Sequence, residues 1–157
     1  MDRPTPPPPL FARRAICAGV LAGLILPSSG QTRPVMPNHA INPTDISYAQ
    51  AHLVEAPTRW LFVSGQIPVD AAEQVPAAFE DQCRLVWRNV ETQLKAGGMT
   101  LQDLVKVNVF LSDRQYREAN YKIRHEVLGG HAPALTIIIA DIYDEAWLLE
   151  IEAIAAA

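Results

Sequence analysis

Phe79, Cys83, Val86, Val90 and Leu94 recur at steps of four, three, four and four, which puts them on one face of a 3.6-residue helix. Glu80, Asp81, Arg84, Arg88, Glu91 and Lys95 take most of the other positions, so only that face can be buried. Gly97-Gly98 stops the period. The pattern predicts an amphipathic helix over 75–96 lying on a sheet, and strand patterns flank it on both sides. Residues 48–55 and 60–64 read as a hairpin turned at Pro57. Val105, Val107, Val109 and Leu111 alternate with Lys106, Asn108 and Phe110 as a further strand. A second helix over 117–127 ends at Gly129-Gly130, and strands follow at 135–141 and 148–155. The order β-β-α-β-α-β-β is that of an α+β sandwich with helices on one sheet face. Ile137-Ile138-Ile139 leaves apolar side chains on both faces, which predicts that the second face is buried against another subunit.

A chain of 157 residues with 49% hydrophobic and 19% charged residues makes one domain with a real core. A formal net charge of -4 disfavours nucleic acid as the main partner, so none is expected. Two cysteines, Cys17 and Cys83, exclude a disulfide scaffold or a cysteine-rich zinc site. His39, His52, His125 and His131 do not pair at metal-ligand spacing, and no metal is expected. Residues 1–30 carry Arg13-Arg14, an apolar run and then small residues, the three parts of a secretory signal peptide. They predict a periplasmic or secreted protein, with a disordered tail on a cytoplasmic one as the alternative. The apolar run from Ala15 to Leu26 is too short for a stable membrane anchor. Proline-bearing residues 31–44 read as a loose lead-in to a single domain over 45–157.

Glu150 and Glu152 share one face of the otherwise apolar last strand. A carboxylate there is solvated at a sheet edge, or is aimed into a cleft to steer a water or a proton. Ser64-Gly65 closes a strong strand, where a bulge, a turn or a ligand-binding backbone would use the same residues. No histidine is placed to activate the serine. Asn120, on a helix with Tyr121, Ile123 and Val127, either caps a pocket or is solvated.

Three stretches, Leu61-Phe62-Val63-Ser64-Gly65-Gln66-Ile67-Pro68, Val105-Lys106-Val107-Asn108-Val109-Phe110-Leu111-Ser112-Asp113 and Glu150-Ile151-Glu152-Ala153-Ile154-Ala155, resemble the Rid family of reactive intermediate/imine deaminases, the YjgF/YER057c/UK114-like proteins. The resemblance implies a chorismate-mutase-like fold and a homotrimer with a barrel-like central core. Ligand clefts would lie at the subunit interfaces. It also implies hydrolysis of enamines and imines without a metal or cofactor, although other members have been described as ribonucleases, protease activators or chaperone-like proteins. By the same resemblance Glu150 is the catalytic group that holds the attacking water. Tyr48, Ser64, Gly65 and Asn120 line the substrate site, together with the positions of Leu135, Thr136 and Ile137.

At Leu135 the chain departs from the family, whose deaminases read Pro-Ala-Arg-Ser where this one reads Pro133-Ala134-Leu135-Thr136. The family arginine grips the substrate carboxylate, and leucine cannot mimic a guanidinium fork. The cysteine often found two residues later is Ile137. This predicts a small imine, enamine or related substrate lacking a carboxylate. The alternative is a non-catalytic trimer of the same fold that binds a small ligand or a protein. Arg124, one turn beyond Asn120, is a further group within possible reach of the cleft.

Overall fold

The computed structural model describes residues 38–157. The signal peptide read at 1–30 lies outside them. Strands β1 (His39–Pro43), β2 (Ala49–Leu53) and β3 (Trp60–Gln66) precede helix α1 (Phe79–Ala96). Strand β4 (Leu104–Leu111), helix α2 (Arg117–Leu128), and strands β5 (Ala134–Ile139) and β6 (Leu149–Ala156) complete the domain.

Helix α1 starts at Phe79, the first residue of its apolar period, and not at the expected 75. Pro76 biases Val75 away from helical geometry, and the Gln82 side chain donates to Pro76 O at 2.8 Å, holding the entering chain outside the helix. Glu80 and Asp81 in the first turn and Lys95 in the last match the helix dipole. Gly98 adopts φ +67° just past the helix, and Met99 N–H donates to Leu94 O at 2.8 Å. Cys83, Val86, Val90 and Leu94 are fully buried against the sheet. Burial pushes the Cys83 thiol up to about 12, so it serves as a core residue and not as a nucleophile.

The six strands form one mixed sheet in the order β1-β2-β5-β4-β6-β3. Strand β5 runs parallel to β2 and β4, and the other pairings are antiparallel. The register of β4 places Val107 beside Leu135 and Ala153, Val109 beside Ile137 and Ile151, and Leu111 beside Ile139 and Leu149. This odd-numbered set faces the helices and carries much of the core. The even-numbered set, Asn108 beside Thr136 and Glu152 and Phe110 beside Ile138 and Glu150, lies on the opposite, uncovered face.

Two expectations are corrected. The strand order is β-β-β-α-β-α-β-β, because β1 lies inside the stretch read as a lead-in. Pro43 hid it, yet proline is tolerated at the end of an edge strand. The barrel-like core is also not found. The sheet is open, with β1 and β3 as edges separated by four strands, so the described chain does not close on itself.

Candidate functional site

Between α2 and β5, on the helix-bearing side, lies an open cavity of about 860 Å³. Tyr48, Asn120, Leu135 and Ile137, four of the expected site positions, line it. Tyr48 precedes β2, whose Ala49 pairs with Ala134, and this brings the tyrosine to the start of β5. Asn120 is 1% exposed, and neither its Oδ1 nor its Nδ2 has a hydrogen-bond partner. Leu135 and Ile137 form an apolar wall.

The remaining candidates are elsewhere. Glu150 and Thr136 sit on the uncovered sheet face, with β4 between their strands. Thr136 Oγ1 accepts a hydrogen bond from Lys106 Nζ at 2.6 Å. Ser64 and Gly65 occupy a bulge: between the pairs Val63–Ala153 and Gln66–Ile151, β3 has these two residues where β6 has only Glu152. The Glu150 side chain lies across Gly65 so closely that a Cβ there would stand 2.7 Å from its Cδ and 3.1 Å from its Cγ, and would overlap Oε1. Glycine at 65 is therefore what lets the carboxylate rest on the bulge.

Burial, and then the neighbouring Glu152, raise the Glu150 carboxyl above the usual carboxylate range. Glu152 is itself engaged, since Asn108 Nδ2 donates to its Oε1 at 2.6 Å. Trp60, Phe62 and Ile138 are 49%, 71% and 49% exposed, and the Trp60 and Phe62 rings stack at 6.4 Å. By their pairing with Ile154 and Phe110, Phe62 and Ile138 share the face that carries Glu150. One chain thus holds two distinct features on opposite faces of its sheet: a carboxylate on a bulge amid exposed apolar groups, and a partly apolar cavity with unpaired polar groups.

Arg124, on α2, also lines the cavity. Arg114, Arg117 and Tyr121 join it there, and sequence reasoning had not assigned these three to the site. A signal existed: 114, 117, 121 and 124 follow steps of three, four and three, a polar stripe along one side of the helix and its entry turn. Among the described residues no cluster of three or more histidine, cysteine, aspartate or glutamate side chains could hold a metal ion. No described helix is long and apolar enough to cross a membrane.

A mixed α+β domain thus carries a carboxylate on a strand bulge and a cavity beside its last helix. Residues 38–157 match the family model described as Endoribonuclease L-PSP, and the chain belongs to this family, the Rid (YjgF/YER057c/UK114) proteins. It is 35% identical over 99 residues to the mitochondrial protein mmf2 of Schizosaccharomyces pombe, covering 61% of this chain and 79% of that one. It is 41% identical over 54 residues to TdcF of Escherichia coli, designated a candidate reactive intermediate deaminase, covering 34% of this chain and 42% of that one. The crystal structure of RidA from an Antarctic Psychrobacter superposes with a TM-score of 0.60 at 26% identity, covering 73% of this chain and 93% of that one.

These relatives correct the expected periplasmic or secreted location. Mmf2 is a mitochondrial protein by its designation, which runs against reading export from this family resemblance. Arginine with few acidic residues also marks organelle-targeting segments, so the pattern at the amino terminus does not single out export.

Proposed function

We propose that this protein is a cofactor-independent hydrolase of small imines or enamines, and that it works as a homotrimer whose clefts join two copies. The observation that carries this reading is the pairing of Glu150 with Gly65 on one sheet face while the Tyr48–Asn120–Leu135 cavity opens on the other. Two surfaces that complement each other but lie on different faces meet head to tail, and such contacts close into a ring when the rotation allows. The exposed Trp60, Phe62 and Ile138 supply apolar area for that contact.

In the assembled cleft Glu150 positions a water and accepts its proton as the oxygen adds to the C=N carbon. The nitrogen takes up a proton, and collapse of the carbinolamine releases an amine or ammonia and leaves a carbonyl. A carboxyl raised by burial exchanges protons closer to neutral pH than an ordinary glutamate does. The designation of TdcF as a reactive intermediate deaminase supports the same chemistry. Leu135 alone suggested a substrate without a carboxylate; Arg124 in the same cavity removes the ground for that restriction. The net charge of -4 argues against RNA as the substrate despite the family's description.

The test is ammonia release by the purified full chain from enzyme-generated imines, beside a Glu150→Gln control. Turnover that disappears in the control while the oligomer persists supports the proposal. Equal turnover in both proteins, or none in the wild type, refutes it.

A further inference from the structure

The β1–β2 hairpin is fastened to the body of the domain at its turn. There Arg124 Nη2 donates to Ile46 O at 3.0 Å, Ser47 Oγ and His125 Nδ1 share a hydrogen bond at 2.6 Å, and Ala49 N–H donates to Pro133 O at 3.1 Å. Beyond the pair Ala49–Ala134, β2 has no further partner on β5, whereas β4 pairs with β5 all along Lys106–Leu111. The open end, where His39 pairs with Leu53 and Ala40 with His52, is held differently. Asn38 Nδ2 donates to Ala156 O at 3.0 Å, and the His52 ring rests against His131 with centroids 6.0 Å apart. Residues 54–57, outside any strand, then lead to Thr58, whose N–H donates to Ala157 O.

Both ring nitrogens of His52 are buried, and neither has a hydrogen-bond partner. The strands packed on β2 offer a charged ring no carboxylate. Strand β1 brings His39, β5 brings no titratable residue, and β4 brings Lys106, whose Nζ is bonded to Thr136 Oγ1. Asp103, just ahead of β4, accepts from Thr100 N–H and Thr100 Oγ1. His131 Nε2 lies 2.7 Å from Leu104 O, an acceptor, so that nitrogen carries a proton. Burial first, and then His131 and His39, hold His52 below its usual 6.5 against the pull of the Ala132 backbone. A side chain kept here for packing alone would be better as leucine. An imidazole with both nitrogens buried and unbonded costs free energy when neutral and more when charged, and water would satisfy both nitrogens.

We infer that the β1–β2 hairpin is a pH-sensitive flap, seated on the sheet while His52 is neutral and swung out at its open end, pivoting on the turn at 44–48, when His52 takes up a proton. The swung-out state binds that proton more tightly than the seated one. Seating is therefore at full strength above pH 6.5 and is lost as the pH falls through the lower value of the seated ring. Once off the sheet, a two-stranded hairpin is marginal in water, so its own ladder opens as well. Ile46 and Tyr48 of the turn line the cavity, so the pivot is part of the cavity wall. The inference does not depend on the hydrolase reading.

The experiment is amide hydrogen exchange of the full chain, read by mass spectrometry at about pH 7.5 and about pH 5.5, with rates corrected for the pH dependence of chemical exchange. One proton shifts an equilibrium by at most about tenfold per pH unit, so protection over residues 39–53 should fall by about 3- to 100-fold at the lower pH. Protection of α1 (Phe79–Ala96) should stay the same, which separates a moving hairpin from acid unfolding of the whole domain. His52→Leu and His52→Gln cannot take up the proton, and whichever of them folds should protect the hairpin equally at both pH values. Unchanged hairpin protection in the wild type overturns the inference, and needs no variant to fold. An equal loss in α1 overturns it too, because the hairpin then has no transition of its own. So does a fall in a folded His52 variant as large as that in the wild type.

Discussion

Gly65→Ala is a substitution of one methyl group that should separate catalysis from folding. Gly65 is not among the residues with positive φ, so alanine fits the backbone. The added Cβ would stand 2.7 Å from Glu150 Cδ, whereas carbon atoms rest at roughly 3.5–4.0 Å. The carboxylate must therefore retreat by about 1 Å or turn away. What moves is the end of a flexible side chain, so the fold should lose no more than about 1 kcal/mol. Misplacing a catalytic group by about 1 Å can lower the rate by about 100-fold. Ammonia release should fall by that factor, close to the level of Glu150→Gln, while chemical denaturation and oligomer size stay near wild type. Gly65→Ala retaining turnover within about threefold would refute the argument, because Glu150 would then be acting from a place other than the bulge.

Further predictions concern pH, stability and assembly. Burial and Glu152 raise the Glu150 carboxyl, so the acid limb of the pH–rate profile should lie above the usual carboxylate range, and Glu152→Gln should move it down. The raised value means that the folded chain holds this proton more tightly than the unfolded chain. The associated stability is present below the unfolded value and lost as pH rises through the folded one, so Glu150→Gln should gain stability over wild type in urea at neutral pH but not at low pH. Gln82 is buried and donates to Pro76 O and Ala146 O and accepts from Leu148 N–H, so Gln82→Leu leaves three part-buried backbone groups without this partner and should lower unfolding stability by about 1–3 kcal/mol. Phe62 is 71% exposed on the Glu150 face, so Phe62→Arg should break the oligomer in light scattering without altering the circular dichroism spectrum.

Much of the fold was legible because its signals are local. The 3.6-residue stripe of α1, its Gly97-Gly98 stop and the alternation in β4 each depend on residues a few positions apart. Strand β1 escaped because a five-residue edge strand ending at Pro43 is held by its antiparallel pairing with β2 more than by its own pattern. The shared face of Glu150 and Glu152 also followed from local parity, as did the bulge, which Ser64-Gly65 allowed without requiring. The placement of Leu135 and Glu150 on opposite sheet faces did not. Whether Leu135 and Glu150 point the same way depends on two registers, β5 on β4 and β4 on β6, and a slip of one residue in either would reverse the answer. Arg124 stands between these cases. Its spacing from Asn120 was visible, but its burial and unpaired Nε arise from the packing of α2 against the segment at Ile46, with Tyr121 of the same helix beside the guanidinium.

The most direct test of a site shared between copies is to mix two variants, each defective in one half. Glu150→Gln and Asn120→Leu chains would be unfolded together, refolded at equal concentration, and assayed for ammonia release against each parent. In a ring of shared sites, about a quarter of the interfaces then join an intact Glu150 to an intact cavity, so activity should recover to about a quarter of wild type. A mixture as inactive as both parents, with mixed oligomers demonstrated by mass spectrometry, would contradict the account.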